Sequence, residues 1–168
     1  MAKRLVLLGC GSVAVALIGA GLVVQPRLRL VWNASASAPE GLYRVTPDAT
    51  IAVGDMVIAR VPAQFGALAA ARHYIPANVP LVKQVAAGAG DQICALGGDL
   101  YRNGVWLADR QAVDGARRPM PAWQGCVRLR RGQYFLLMAA SPLSFDGRYF
   151  GISDRRDIIG KADLLWVR

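Results

Sequence analysis

Three short stretches carry side chains that could do chemistry together. The first is Asn33-Ala34-Ser35-Ala36-Ser37-Ala38-Pro39-Glu40-Gly41-Leu42-Tyr43, hydroxyls and small residues leading straight into an apolar, strand-like segment. Taken alone, such a Ser/Ala/Pro run reads as a linker. The second is Leu81-Val82-Lys83-Gln84-Val85-Ala86-Ala87-Gly88-Ala89-Gly90-Asp91, which sets Lys83 between Val82 and Val85. An ammonium on a buried strand face is costly to desolvate, so its pKa would fall and the amine would become a usable base. The same lysine on a strand that alternates toward solvent would be unremarkable chemically. The third stretch runs from Ser141 through Ser144, Asp146 and Arg148 to Gly151. Asp146 and Arg148 stand two apart, on one side of an extended segment, and read as a structural ion pair in a turn.

Other chemistries find little support. Cys10 lies inside an apolar stretch, and Cys94 and Cys126 stand alone in the remainder. With no CxxC and no Cys/His spacing, zinc and thioredoxin chemistry are disfavoured, and no metal or cofactor is expected. Cys94 and Cys126 fit either one disulfide or two separate buried thiols, because bridging depends on their Cα separation. The net charge is +9, from 20 Lys and Arg against 11 Asp and Glu. The basic residues are scattered apart from Arg117-Arg118, Arg130-Arg131 with Arg128 nearby, and Arg155-Arg156. That pattern suits an anionic lipid surface, and no nucleic acid is expected as a partner.

The elements that must position these residues divide the 168-residue chain in two. Leu5 to Val24 carry no charge, and a helix of that length spans about 30 Å, the hydrocarbon thickness of a bilayer. The apolar run is too long for a cleavable leader and continues well past Cys10, against a lipoprotein site. Residues 1–26 therefore read as a short cytoplasmic stub and a retained transmembrane anchor. Lys3 and Arg4 flank its inner side, which puts residues 27–168 outside. This domain reads as mainly β. Candidate strands are Leu28–Trp32, Gly41–Val45, Asp55–Val61, Leu81–Ala86, Val127–Leu129, Gln133–Met138 and Leu164–Val167. Asn103-Gly104 marks a tight hairpin between Asp99–Arg102 and Val105–Ala108. Ala67–Arg72 is the one helix expected in the domain.

The three stretches, in this order and behind an anchor, resemble the type I signal peptidase family. They are most similar to its conjugative-transfer branch, which carries N-x-S/T-x-S-x-P-x-G-L-Y. The resemblance covers nearly the whole chain, including Gly54-Asp55-x-Val57, Pro80-Leu81-x-Lys83 and Ile158-Ile159-Gly160-Lys161-Ala162. It implies a signal-peptidase-like β fold with an N-terminal transmembrane helix. It implies Ser37 as nucleophile and Lys83 as general base. Ser35 would help bind the oxyanion with the Ser37 backbone N–H, Ser144 would hydrogen-bond the lysine, and Asp146 and Arg148 would support the site. Ala36, Ala38, Pro39, Val82 and Gln84 would line the substrate groove. Gln84 stands where housekeeping members carry Arg, Ala139-Ala140-Ser141 replaces Gly-Asp-Asn, and Gly147 stands where Ser is common.

Serine needs a base. The single histidine, His73, lies in a loop-like stretch at a position with no role in the family. An unperturbed lysine, with a pKa near about 10.4, is less than about a thousandth neutral at pH 7. Desolvation against Val82, Val85 and an apolar rim would bring it to about 7–8. The Ala and Gly residues crowding both stretches leave room for an extended substrate backbone to add as a strand. The expected activity is membrane-bound serine endopeptidase cleavage after small residues. The expected substrate is a pilin precursor or another exported protein of a conjugation apparatus, on the periplasmic face of a bacterial inner membrane. The rival expectation is a non-enzymatic, membrane-anchored β-domain of a conjugation or secretion channel.

Overall fold

The computed structural model describes residues 27–168, and the expected anchor lies outside them. Among the described residues no helix is long and apolar enough to cross a membrane. The domain is mainly β. One antiparallel sheet has seven strands: β1 (Leu30–Asn33), β2 (Gly41–Thr46), β3 (Met56–Ala59), β4 (Leu81–Ala87), β9 (Gln133–Leu137), β10 (Ile152–Asp154) and β11 (Ile158–Val167). Their spatial order is β1-β2-β11-β3-β4-β9-β10. A second sheet, ordered β7-β6-β5-β8, contains β5 (Gln92–Leu96), β6 (Asp99–Arg102), β7 (Val105–Asp109) and β8 (Gly125–Arg128).

β4 organises the larger sheet. It pairs with β3 on one side and β9 on the other, and its apolar residues are buried along almost its whole length. A central strand covered on both faces needs a near-continuous apolar run, which Leu81, Val82, Val85 and Ala87 supply. Val57, Ala59, Val85, Leu136 and Ile158 form one cluster, and Val82, Tyr43, Val45, Ile58, Ala38 and Ala162 form another. The two sheets share a third cluster, in which Ile93, Ala95 and Leu100 pack on Ala87, Phe135 and Leu137.

Local chemistry sets most junctions. Asn103-Gly104 turns β6 into β7, with Arg102 opposite Val105. Cys94 and Cys126 face each other across β5 and β8 and are joined by a disulfide. The Gly54-Asp55 and Lys161 motifs, remote in sequence, meet where Lys161 Nζ donates to Asp55 Oδ1 at 2.6 Å. Asp55 Oδ2 also accepts from the Ala52 N–H. The lysine amine beside it holds the Asp55 carboxyl below its usual range.

Four elements differ from the sequence expectation. Helix α1 spans Ala63–Ala71 and starts directly after Pro62, earlier than the expected Ala67. Pro at the helix entrance is pre-set for helical φ, and Gly66 inside the first turns masks the pattern. A second helix, α2 (Gly147–Phe150), is a single turn capped by the Asp146 side chain, too short to show periodicity. β5 and β10 were not among the expected strands. Both are short, and their pairing comes from neighbours, not from β-branched content.

Gly41 fixes how the chain leaves the Ser37 loop. It stands opposite Asn33 and beside Val167, with φ +154, and a Cβ there would lie 2.0 Å from the Trp166 carbonyl oxygen. Gly41→Ala must move backbone, not a side-chain tip. It is expected to lower stability by at least about 3 kcal/mol, read by urea unfolding of the full chain.

Candidate active site

Ser37 sits half-buried in the loop of residues 34–40 that joins β1 to β2. Its following residue, Ala38, is buried in the core and ties the loop down on its apolar side. Polar contacts hold the rest. The Tyr43 hydroxyl donates to the Pro39 carbonyl at 2.9 Å. The Asn33 side chain donates to the carbonyls of Ser35, Ala38 and Pro39, and accepts from the Ser35 N–H.

Lys83 reaches this loop from the middle of β4, where it stands opposite Val57 of β3. Strand alternation puts Leu81 and Val85 on its face and Val82 and Gln84 on the other. The lysine is 3% exposed, so the solvent-facing alternative does not describe it. Its Nζ lies 2.9 Å from Ser37 Oγ and 2.9 Å from Ser144 Oγ. Burial pushes the amine down to about 8; Asp146 opposes this and Arg148 adds to it. At pH 7 about a tenth of such an amine is neutral, against well under a thousandth for an ordinary lysine. A neutral Nζ at this distance can accept the Ser37 hydroxyl proton, which is the geometry a general base requires.

Behind the lysine lies a wholly buried ion pair. Arg148 Nη1 donates to Asp146 Oδ2 at 2.8 Å, and neither side chain is more than 1% exposed. Three further guanidinium donors go to backbone: Nε to Asp109 O, Nη1 to Ser141 O and Nη2 to Met138 O. Asp146 also accepts from the N–H groups of Met138 and Arg148. Burial pushes its carboxyl up, and Arg148 is the strongest influence the other way. The glycine at 147 follows from packing. A Cβ there would lie 2.7 Å from the Leu136 carbonyl oxygen and 2.8 Å from the Phe135 ring, so serine does not fit this chain.

Ser35 Oγ lies 3.1 Å from Ser37 Oγ, and the Ser37 N–H reaches Ser35 Oγ at a long 3.4 Å. Ser37 borders a shallow cleft of about 390 Å³ lined also by Ala36, Ala38, Pro39, Glu40, Met138, Ala140 and Ser141. Val82 and Gln84 do not line it. Val82 is buried in the core under Ala38, and the Gln84 amide donates to the Gly54 carbonyl. His73 sits at positive φ in the turn after α1, its N–H bonded to the Ala70 carbonyl. A larger cavity of about 750 Å³ opens elsewhere, bordered by Arg60, Ile75 and Ile158, and none of these site residues lines it. Asn33, Tyr43, Met138 and Ala140 carry parts of the site that the sequence reading gave no role. The available clue was Asn33 itself, since an asparagine opening a short Ser-rich loop readily bonds nearby backbone.

A mainly β domain that seats a serine hydroxyl on a dehydrated lysine amine, beside a cleft bordered by Ala36, Ala38 and Ala140, has the build of a peptidase. The chain belongs to the signal peptidase family, peptidase S26, whose family model matches residues 2–167. It is similar to two plasmid transfer proteins TraF of Escherichia coli. One is 29% identical, covering 89% of this chain and 87% of the relative. The other is 31% identical, covering 88% and 86%. Among solved structures, a signal peptidase I from Enterococcus faecalis V583 aligns with 67% of this chain and 97% of its own, at 19% identity and a TM-score of 0.40.

The ion pair yields a stability test. Arg148→Met strands the buried Asp146 carboxylate and three backbone carbonyls. Thermal or urea unfolding is expected to show a loss of about 3–5 kcal/mol.

Proposed function

We propose that the chain is a membrane-bound serine endopeptidase with Ser37 as nucleophile and Lys83 as general base. The observation that carries this reading is the 2.9 Å contact between Ser37 Oγ and a lysine amine that is 3% exposed. Neutral Nζ takes the hydroxyl proton while Oγ attacks the scissile carbonyl carbon. The oxyanion is held by the Ser35 hydroxyl and the Ser37 N–H, one such donor being worth about 10²–10³ in rate. The Lys83 ammonium then returns its proton to the departing amine, leaving an ester on Ser37. Neutral again, it takes a proton from the attacking water, and breakdown of the second tetrahedral intermediate releases the acid product and restores the serine hydroxyl. Ser144 keeps the amine aimed, and Asp146 with Arg148 keeps Ser144 and the 138–141 segment in place.

The substrate in this reading is a pilin precursor or another exported component of a conjugative transfer apparatus. The two plasmid transfer relatives support that choice. Cleavage after small residues fits the alanines at 36, 38 and 140 around the cleft. The uncharged stretch from Leu5 to Val24 supports a single-pass inner-membrane location with the domain on the periplasmic side.

Ser37→Ala and Lys83→Met are each expected to leave precursor uncleaved while the protein still accumulates, seen by immunoblot of the precursor. Lys83→Met is expected to lower the rate by at least about 10²–10⁴-fold. Normal processing by either variant would favour a non-enzymatic β-domain.

The buried amine also fixes the pH dependence. The rate should climb with pH and level off above about 8, where Lys83 is neutral. The folded amine sheds its proton at lower pH than an unfolded lysine, whose value is 10.5. Between those limits the unfolded chain binds more protons, so this group's contribution to stability rises with pH and is a penalty at neutrality. Lys83→Met should therefore be inactive yet melt higher than the native chain at pH 7; a lower melting temperature contradicts the burial argument.

A further inference from the structure

The loop that carries Ser37 has little of the usual means of staying still. Between residues 34 and 40 the backbone bonds are few, Ala38 N–H to Ser35 O at 3.3 Å and Arg168 N–H to Glu40 O at 3.0 Å, and Ala38 is the one buried apolar side chain. Yet a general base needs its hydroxyl within a few tenths of an ångström. The side chain of Asn33, the last residue of β1, fills the inside of the loop and is 7% exposed.

We propose that Asn33 is a positioning residue for catalysis, its carboxamide setting the place of both the Ser37 and the Ser35 hydroxyls. The proposal rests on the Ser37–Lys83 reading above. Asn33 Nδ2 donates to Ser35 O at 3.0 Å, Ala38 O at 3.1 Å and Pro39 O at 3.0 Å. Asn33 Oδ1 accepts from the Ser35 N–H at 3.1 Å. Two amide protons shared among three carbonyls use both donors, and the carbonyl oxygen accepts one bond besides.

These contacts bracket the nucleophile. Ser35 is gripped by both its N–H and its carbonyl, which places its Oγ 3.1 Å from Ser37 Oγ. On the other side of Ser37, two consecutive carbonyls are drawn to the same nitrogen. The Ser37 N–H is left with only its long contact to Ser35 Oγ, free for an incoming oxyanion. Asn33 itself cannot drift, because it is paired with Gly41 across β1 and β2. The strand lends its rigidity to the loop through this side chain, while the Tyr43 hydroxyl holds only the Pro39 carbonyl at the far end. Backbone strands and the core anchor the lysine from the opposite side, so the Ser37–Lys83 distance depends on this carboxamide.

The discriminating variant is Asn33→Asp. It keeps shape and volume but turns a donor toward three carbonyl oxygens into an acceptor. If Asn33 merely fills space, Asp should be nearly as good and better than Ala. If donation positions the loop, Asp should be the worse of the two.

The experiment measures kcat and KM of the full chain on an internally quenched peptide with Ala at the first and third positions before the bond. Amide hydrogen exchange over residues 33–40 and thermal melts are followed in parallel. Asn33→Asp is expected to lose about 10²-fold in kcat with KM changed by less than about threefold. Exchange should quicken in 33–40 and nowhere else, with a cooperative melt retained. A kcat for Asn33→Asp within about threefold of the native chain overturns the proposal, as does a loss carried wholly by KM. Unchanged exchange in the loop, or loss of the cooperative melt in both variants, also overturns it. An inactive native chain with quickened loop exchange in Asn33→Asp would sink the peptidase reading instead, and leave Asn33 as the loop's organiser without a reaction to serve.

Discussion

The amine of Lys83 has left water and received two hydroxyls in exchange. Everything around it serves to make that exchange tolerable. A lysine on a central strand, 3% exposed, loses most of its hydration, and the fold answers with Ser37 and Ser144 rather than with a carboxylate. A carboxylate in direct contact would have kept the amine charged and useless as a base. Hydroxyls satisfy its donors while leaving the neutral form accessible, because they stabilise either protonation state. The choice of partners therefore sets the chemistry as much as burial does.

Two kinds of rigidity converge on this contact. The lysine side is held by hydrophobic packing, since β4 lies between β3 and β9 with Leu81 and Val85 beside it. The serine side is held by hydrogen bonds from Asn33 and Tyr43, with Ala38 as its apolar peg. Packing tolerates small lateral shifts; a carboxamide bonded to three carbonyls does not. A loop exposed enough to admit substrate cannot be buried, so polar bonds take over where packing must stop.

The sequence singled out the residues that meet more readily than the elements that carry them. Ser37, Lys83, Ser144, Asp146 and Arg148 stood out because each sits in a short local pattern, and the ordered set resembles a known family; the structure brings them together. Lys83 alone was ambiguous, since Val82-Lys83-Gln84-Val85 suits either a solvated or a covered strand. Its burial is decided by what covers that face of β4, the Ser37 loop and the segment that carries Ser144. Val82 and Gln84 illustrate the same limit. Adjacency to the lysine suggested a place in the groove, whereas alternation turns both to the other face. Strands with strong pairs or turns, such as β6 and β7 around Asn103-Gly104, were readable. β5 and α2 were not, because five residues (Gln92–Leu96) and a single turn (Gly147–Phe150) are too short to show a period and owe their form to neighbours. Asn33 was visible as a letter in a motif, but its work lies in which carbonyls curl back toward it.

The buried Asp146–Arg148 pair is best understood through its effect on the lysine. Asp146 by itself would draw Lys83 toward the charged state, opposing the burial that makes it a base. Arg148 acts in the opposite sense on the same amine and offsets part of the pull of Asp146, and desolvation remains the largest influence. The pair is also the fastener of the 138–148 segment: Arg148 alone binds the carbonyls of Met138, Ser141 and Asp109. A neutral hydrophobic plug could fill the space but could not bind those carbonyls. An unpaired acid could accept from Met138 but would spoil the base. An ion pair whose guanidinium also binds three backbone carbonyls meets both demands, which accounts for so costly an arrangement beside an amine whose pKa burial has lowered.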